Sequence, residues 1–288
     1  MGLIAMPTPR LLLALDLDGT LLRDDKTIAP ADFDAIRSAA QHGILVTLAT
    51  GRLTAGTLPF ARELGLTTPL VCADGAVLLD PVSGETVLRR SIATEHAKHA
   101  LGALLEHRLV PYVFLADTIH CDLYGNAHRA IVETWSREII VHESLPNALA
   151  WQSPDTVSMT VGVGAESAVL RAYEHLSREH GSTLDTVYFK VANLSLWAVR
   201  SLPGGCDKSF MLAQLAERLA LPASRVVAVG DWLNDLGMFK YAGRSFAMGH
   251  APDVVREAAT DVLRATSARG GGIAEAIAAI LASAPAQP

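Results

Sequence analysis

Cysteine is scarce in this chain. Its 288 residues contain three, Cys72, Cys121 and Cys206, which lie far apart and form no C-x-x-C pair. That spacing argues against a disulfide scaffold or a cysteine-based structural zinc site, and it fits a reducing, cytoplasmic setting. Long apolar runs are also missing. None approaches the roughly 18 to 20 residues of a membrane span, so no membrane partner is expected. Basic residues are few and scattered: 24 Lys and Arg against 30 Asp and Glu give a net charge of -6. A nucleic-acid surface normally needs a basic stripe, and none is written here. No G-x-G-x-x-G turn follows the first apolar run, which argues against a dinucleotide-binding dehydrogenase. The opening "MGLIAMPTPRLLLAL" lacks a charged n-region and leads straight into acidic residues, so it reads as a first strand and not a signal peptide. No internal repeat is visible. The one biased tract is the alanine-rich "IAEAIAAILASAPAQP", read as a final helix that frays after Ser283.

The material that is present suits a globular protein. Half of the residues are hydrophobic and about a fifth are charged, enough to build a core in one large domain or two ordinary ones. Three segments share a pattern, a short apolar run that stops at polar residues. "RLLLALDLDGT" stops at Asp16, "GILVTLATGR" at Thr50 and "RVVAVGDWLND" at Asp231. Unalternating runs of this length are strands buried on both faces, as in a parallel sheet. Helical patterns intervene at "PADFDAIRSAAQHG" and "CDKSFMLAQLAERLALP". Strands alternating with helices predict an open, doubly wound α/β sheet. Ligands of such sheets bind at the carboxyl ends of the strands, where Asp16, Thr50 and Asp231 would gather.

The middle of the chain reads differently. Helices are expected at "TEHAKHALGALLEHRL", "NAHRAIVETWSREI" and "AESAVLRAYEHLSREHG", with alternating stretches "YVFLADTIHCDLY", "DTVSMTVGVG" and "NLSLWAVR" between them. This predicts a separate α+β unit over residues 84–200, inserted into a core formed by residues 1–83 and 201–288. The turn-rich "LDPVSGE" and "SLPGG" are the expected hinges.

The pair Asp16 and Asp18 poses the chemical question. Two carboxylates flanking one leucine raise each other's pKa unless a cation or a shared reaction resolves the conflict. Lys208 poses a second one, because it falls in the first turn of a predicted helix, where the macrodipole disfavours a cation. A residue placed against local preference points to function.

In order, "DLDGTLL", "TLATGR", Lys208 and "GDWLND" resemble the four motifs of the haloacid dehalogenase (HAD) superfamily. The insertion between the second and third resembles the type IIB cap of its Cof-like phosphatases. The resemblance spans nearly the whole chain and implies a Rossmann-like core with an α+β cap that closes over it. It implies that Asp16 is a nucleophile forming an aspartyl-phosphate and that Asp18 is the acid and base. Thr50 would hydrogen-bond the phosphoryl group and Gly51 would let the backbone approach. Arg52 would touch substrate or an acidic partner, with a surface salt bridge as the equal alternative. Lys208 would hold Asp16 ionised and neutralise phosphate charge. Mg²⁺ would be held by the Asp16 side chain, the Asp18 backbone carbonyl and Asp231, a set of oxygen ligands that suits this ion. Asn234 and Asp235 would orient metal waters and the basic residue.

Two positions depart from the family's usual wording. Asp74 in "CADGAV", followed by Gly75, stands where Asn is common, and so does His250 in "AMGHAPDVVREAA". Asp74, Gly75 and His250 are therefore candidate substrate contacts. The inserted segment is rich in histidine, and His96 and His99 are one helical turn apart, the spacing of a metal pair. No neighbouring cysteine pair or strict ligand spacing completes such a site, so a polar helix face is the expectation. The expected activity is Mg²⁺-dependent hydrolysis of small phosphorylated metabolites (sugar, polyol or cofactor phosphates) by a monomer or small homo-oligomer. A phosphomutase on the same scaffold and a non-catalytic binding protein are the alternatives.

Overall fold

The computed structural model describes residues 11–148, 157–191 and 194–283. The expectations for the opening "MGLIAMPTP", the first two residues of "DTVSMTVGVG", Asn193 of "NLSLWAVR" and the tail beyond Ser283 fall outside these residues. The chain divides into two compact units. One comprises Met1–Thr50, Thr57–Val87 and Lys208–Pro288, the other Gly51–Gly56 and Leu88–Asp207. The passages after Val87 and after Asp207 lie a few residues beyond the boundaries expected from turn composition, and Gly51–Gly56, expected in the core, is grouped with the second unit.

A five-stranded parallel sheet organises the first unit. Val226–Gly230 lies at its centre, with Arg244–Ala247 and Asp261–Val262 following in turn on one side and Leu11–Leu15 and then Ile44–Leu48 on the other. From the first strand the chain moves outward in one direction to the second, then later in the opposite direction. The gap between Leu11–Leu15 and Val226–Gly230 is therefore the switch point of a doubly wound sheet, where its ligands bind. Register decides what meets there. Leu15 is paired with both Val229 and Leu48, so the residues after the three strands emerge at one level.

The strands are unalternating because both faces are covered: Leu12, Leu13, Leu15, Val226 and Val229 are fully buried. Around them, helix Pro30–Ala39 begins with Pro at its first position, where the missing N–H costs nothing. Its buried Asp32 accepts from the Gly271 and Ala274 amides (2.7 and 2.8 Å), satisfying orphan donors at the start of helix Gly272–Ser283. "LDPVSGE" forms a tight turn in which Asp80 accepts from the Val82 and Ser83 amides. The thiols Cys72, Cys121 and Cys206 are free and buried. No helix among the described residues is long and apolar enough to cross a membrane.

The second unit is built on a six-stranded, mostly antiparallel sheet. Helices Thr94–Glu106 and Glu166–His180 pack on it through Leu101, Leu104, Val169 and Leu176, against Val113 and Val199 of the strands. The third expected helix, "NAHRAIVETWSREI", does not form. In its place stand a short helix Leu123–Ala127, a 3₁₀ turn Arg129–Ile131 and a strand Ile139–His142. Ile131, Val132 and Thr134 are β-branched and weaken a helix. Tertiary contacts finish the break: the Trp135 ring packs on Phe114 (centroids 5.6 Å apart), and its carbonyl accepts from the Leu53 amide at 2.9 Å.

His120, buried beside the half-buried His142, is the group through which acid should destabilise this unit. Thr118 gives its hydroxyl proton to the Leu115 carbonyl, so it accepts from His120 Nε2 at 2.7 Å. His120 Nδ1 then accepts from His142 Nε2 at 2.8 Å. Burial, and next the His142 ring, lower the His120 pKa to about 4 from an ordinary 6.5. Protons therefore bind the unfolded chain more readily. The stabilisation is complete above about pH 6.5 and is lost as pH falls toward about 4, a change of roughly 3 kcal/mol. Urea unfolding of His120→Gln should show a flatter loss of stability across that window than the wild type. An unchanged slope would place the sensitivity elsewhere.

Candidate active site

Four strand ends and one helix start assemble the site, all within the first unit. Lys208 opens helix Lys208–Arg218 and is 1% exposed. Its ammonium donates to Asp16 Oδ1 at 2.6 Å and to Asp235 Oδ1 at 2.7 Å. Burial by itself would lower its pKa, but Asp16, Asp235 and Asp74 together hold it well above the usual ammonium value. Lys208 is therefore a permanent cation, held against helix propensity by the carboxylates it faces.

Asp235 is spent on this task. Its second oxygen accepts from the Asp231 and Trp232 amides at 2.9 and 3.0 Å, which leaves it to grip Lys208 and shape the loop, not to meet a substrate. A side chain at Gly230 would collide with that carboxylate, so glycine ends the strand.

Asp231 points back toward Asp16. Thr20 donates to Asp231 Oδ1 at 3.0 Å, and His250 Nε2 lies 3.4 Å from Oδ2. Since His250 Nδ1 accepts from the Ser267 amide (3.3 Å), the neutral ring carries its proton on Nε2, facing Asp231. His250 thus touches a carboxylate of the cluster. Gly19 adopts φ +87°, and a Cβ there would strike the Asp231 carboxylate. The glycine of "DLDGT" is required both for its backbone and for its missing side chain.

Asp16, Asp231 and Asp235 present carboxylate oxygens within 4.8 Å of one another, all buried. Burial pushes the Asp16 pKa well up; Lys208 pulls it back, while Asp235 and Asp231 push it further. Three buried carboxylates share one lysine, so the cluster is short of positive charge. A hard divalent cation at Asp16 and Asp231 fits that deficit, and oxygen donors suit Mg²⁺.

The remaining expected residues are distributed as follows. Asp18 is paired with Lys26 at 2.9 Å, on the partly exposed side. Thr50 is buried; its amide donates to the Val71 carbonyl and its carbonyl accepts from the Asp74 amide. Ala73, Asp74 and Gly75 are three consecutive residues with positive φ, and two of them are strained non-glycine positions. That turn aims Asp74 Oδ1 at Asn234, which donates at 2.9 Å, so these two expected residues bond each other. Gly51 and Arg52 fall in the segment grouped with the other unit, where Arg52 donates to the Gly56 carbonyl at 3.4 Å.

Two contacts were not read from the sequence. Thr20 lay inside a quoted motif, and its hydroxyl was the available signal. Lys26 had none, because its reach to Asp18 depends on a left-handed backbone (φ +64°).

A parallel sheet with a carboxylate–lysine cluster at its switch point, interrupted by an α+β insertion, defines the class as α/β enzymes with an inserted cap. More narrowly, the chain belongs to the haloacid dehalogenase-like hydrolases, whose family model matches residues 13–277. The 5-amino-6-(5-phospho-D-ribitylamino)uracil phosphatase YcsE of Bacillus subtilis (strain 168) is 29% identical over 266 residues, covering 92% of this chain and 94% of the relative. The pyridoxal phosphate phosphatase YbhA of Escherichia coli (strain K12) is 27% identical over 260 residues, covering 87% and 92%. Among solved structures, a haloacid dehalogenase-like hydrolase from Bacteroides thetaiotaomicron superposes with a TM-score of 0.78 at 25% identity, over 94% of this chain and 99% of that one.

Two substitutions probe the cluster. Lys208→Met should cost roughly 3–5 kcal/mol in urea unfolding, because it leaves buried carboxylates without their counter-charge. Gly19→Ala should stay folded yet lose on the order of 100-fold in turnover, since it displaces Asp231 from its place beside Asp16. Near-normal turnover in Gly19→Ala would mean that the Asp231 position is not critical.

Proposed function

We propose that this chain is a phosphatase of small phosphorylated metabolites that works through an aspartyl-phosphate on Asp16. The observation that carries the reading is the buried Asp16–Lys208–Asp235 contact at the switch point. One carboxylate oxygen of Asp16 is engaged by Lys208, which orients the group so that the other can attack phosphorus. Asp235 fixes Lys208 from behind. Positive charge held in place before the reaction lowers the cost of bringing an anionic nucleophile to an anionic phosphate.

Asp18 supplies the proton traffic. As the carboxylic acid it protonates the leaving oxygen while the P–O bond to the alcohol breaks and the bond to Asp16 forms. As the carboxylate it takes a proton from water, which attacks phosphorus and releases Asp16 and inorganic phosphate. Its contact with Lys26 is partly exposed, an ion pair of a kind worth at most about 1 kcal/mol and therefore easily opened. Thr50, buried at the end of its strand, would donate its hydroxyl to a phosphoryl oxygen. Asp16, Asp231 and the Asp18 backbone carbonyl would hold Mg²⁺, which when bound would supply further positive charge to the phosphate.

Relatives with named activities act on different compounds, one a ribitylaminouracil phosphate and the other pyridoxal phosphate. Substrate choice is thus a matter for a panel. Phosphate release should be measured with p-nitrophenyl phosphate, those two compounds and a set of sugar and polyol phosphates. Turnover should require Mg²⁺, vanish with EDTA, and fall on the order of 1,000-fold or more in Asp16→Asn. Retained turnover in that variant would refute the covalent route, and failure of the folded protein across the whole panel would refute the phosphatase reading.

A further inference from the structure

The inserted unit gathers histidines that the proposed reaction does not use. His96 and His99 lie one turn apart on helix Thr94–Glu106, and His180 is the last residue of helix Glu166–His180. His180 is far from the other two in sequence, yet the three rings meet where the two helices come together. His180 stacks on His99, with centroids 5.4 Å apart and planes 23° from parallel, and it meets His96 edge-on at 5.9 Å. One nitrogen from each ring lies within 4.8 Å of the other two.

A second observation points to a ligand. His96 Nδ1 is completely buried and has no hydrogen-bond partner. A buried polar atom left unpaired costs about 1–3 kcal/mol. A cation that accepts imidazole lone pairs removes that penalty.

A second group, Glu106, His107 and His175, lies equally close together, yet its rings are bonded to each other and to a carboxylate. His107 Nε2 is 3.3 Å from His175 Nδ1, and His175 Nε2 is 3.2 Å from Glu179. Proximity therefore does not single out the first group. The unpaired buried nitrogen does.

We propose that His96, His99 and His180 form a binding site for a divalent transition-metal ion of the Zn²⁺ type, separate from the Asp16–Asp231 cluster. Three imidazoles with no carboxylate favour zinc and its neighbours over Mg²⁺. Zinc–nitrogen bonds of about 2.0–2.1 Å in a tetrahedral shell place the nitrogens roughly 3.4 Å apart. The rings close to that spacing by rotating about their side-chain bonds, and water takes the fourth position. Bound there, the ion ties the start of one cap helix to the end of the other and stabilises the inserted unit.

Co²⁺ titration of the chelator-stripped full chain, in excess Mg²⁺ to occupy the carboxylate cluster, tests the site. Four-coordinate cobalt absorbs far more strongly in the visible than six-coordinate cobalt among oxygens. The expected result is an intense band saturating at about one equivalent and displaced by Zn²⁺. His99→Ala and His180→Gln should each weaken binding on the order of tenfold or more, while His107→Ala keeps it. Phosphate release should be unchanged in all three, and circular dichroism should show that they are folded. No band in the wild type would overturn the proposal. So would a band that persists at full affinity in both His99→Ala and His180→Gln, or one lost in His107→Ala instead. Because the readout is metal binding, it stands or falls independently of the phosphatase reading.

Discussion

One buried ammonium group organises the core of this protein. Lys208 lies almost wholly out of water, in contact with Asp16 just past the first strand and with Asp235 at the end of "GDWLND". An ion so placed survives only if its partners arrive at hydrogen-bond distance. That requirement reaches through the whole unit. The parallel register must bring Asp16, Thr50 and Asp231 to one level, a glycine must stand at 19, and another must end the strand at 230. The loop after Gly230 must turn its amides onto Asp235.

The same cluster is not neutral. Asp16, Asp231 and Asp235 outnumber Lys208, and Asp16 is pushed up by burial and by its acidic neighbours despite the lysine. Such a site costs stability in the free protein, and it gains from a cation or from chemistry that spreads its charge. Asp74 and His250 fit this view. Asp74 adds its field to Lys208 and is tied by Asn234. His250 turns an N–H toward Asp231. Each of the two positions that depart from the family's wording is thus bonded to a residue in or beside the cluster.

The inserted unit illustrates the opposite situation, in which local pattern carries less. Helices 94–106 and 166–180 follow from their apolar periodicity, since each needs one buried stripe. The segment from Asn126 to Ile139 has helical composition but does not form that helix. Trp135 is held by Phe114 and by the Leu53 amide, contacts made with residues remote in sequence. His96 and His99 read as a polar helix face because their third neighbour, His180, belongs to another helix.

What the sequence determined by itself is what short-range rules encode. Unalternating apolar runs make buried strands, their abrupt polar ends mark a binding edge, and four ordered motifs single out Asp16, Asp18, Lys208 and Asp231 by their resemblance to the family's. These depend on period and spacing along the chain, so they are legible without coordinates. The tertiary structure alone decided the other pairings: Thr20 on Asp231, Lys26 on Asp18, Asn234 on Asp74, and three histidines from two helices around one point. A hydrogen bond or a shared ligand depends on distances of a few ångströms between residues up to 242 positions apart. Only the folded register sets those distances.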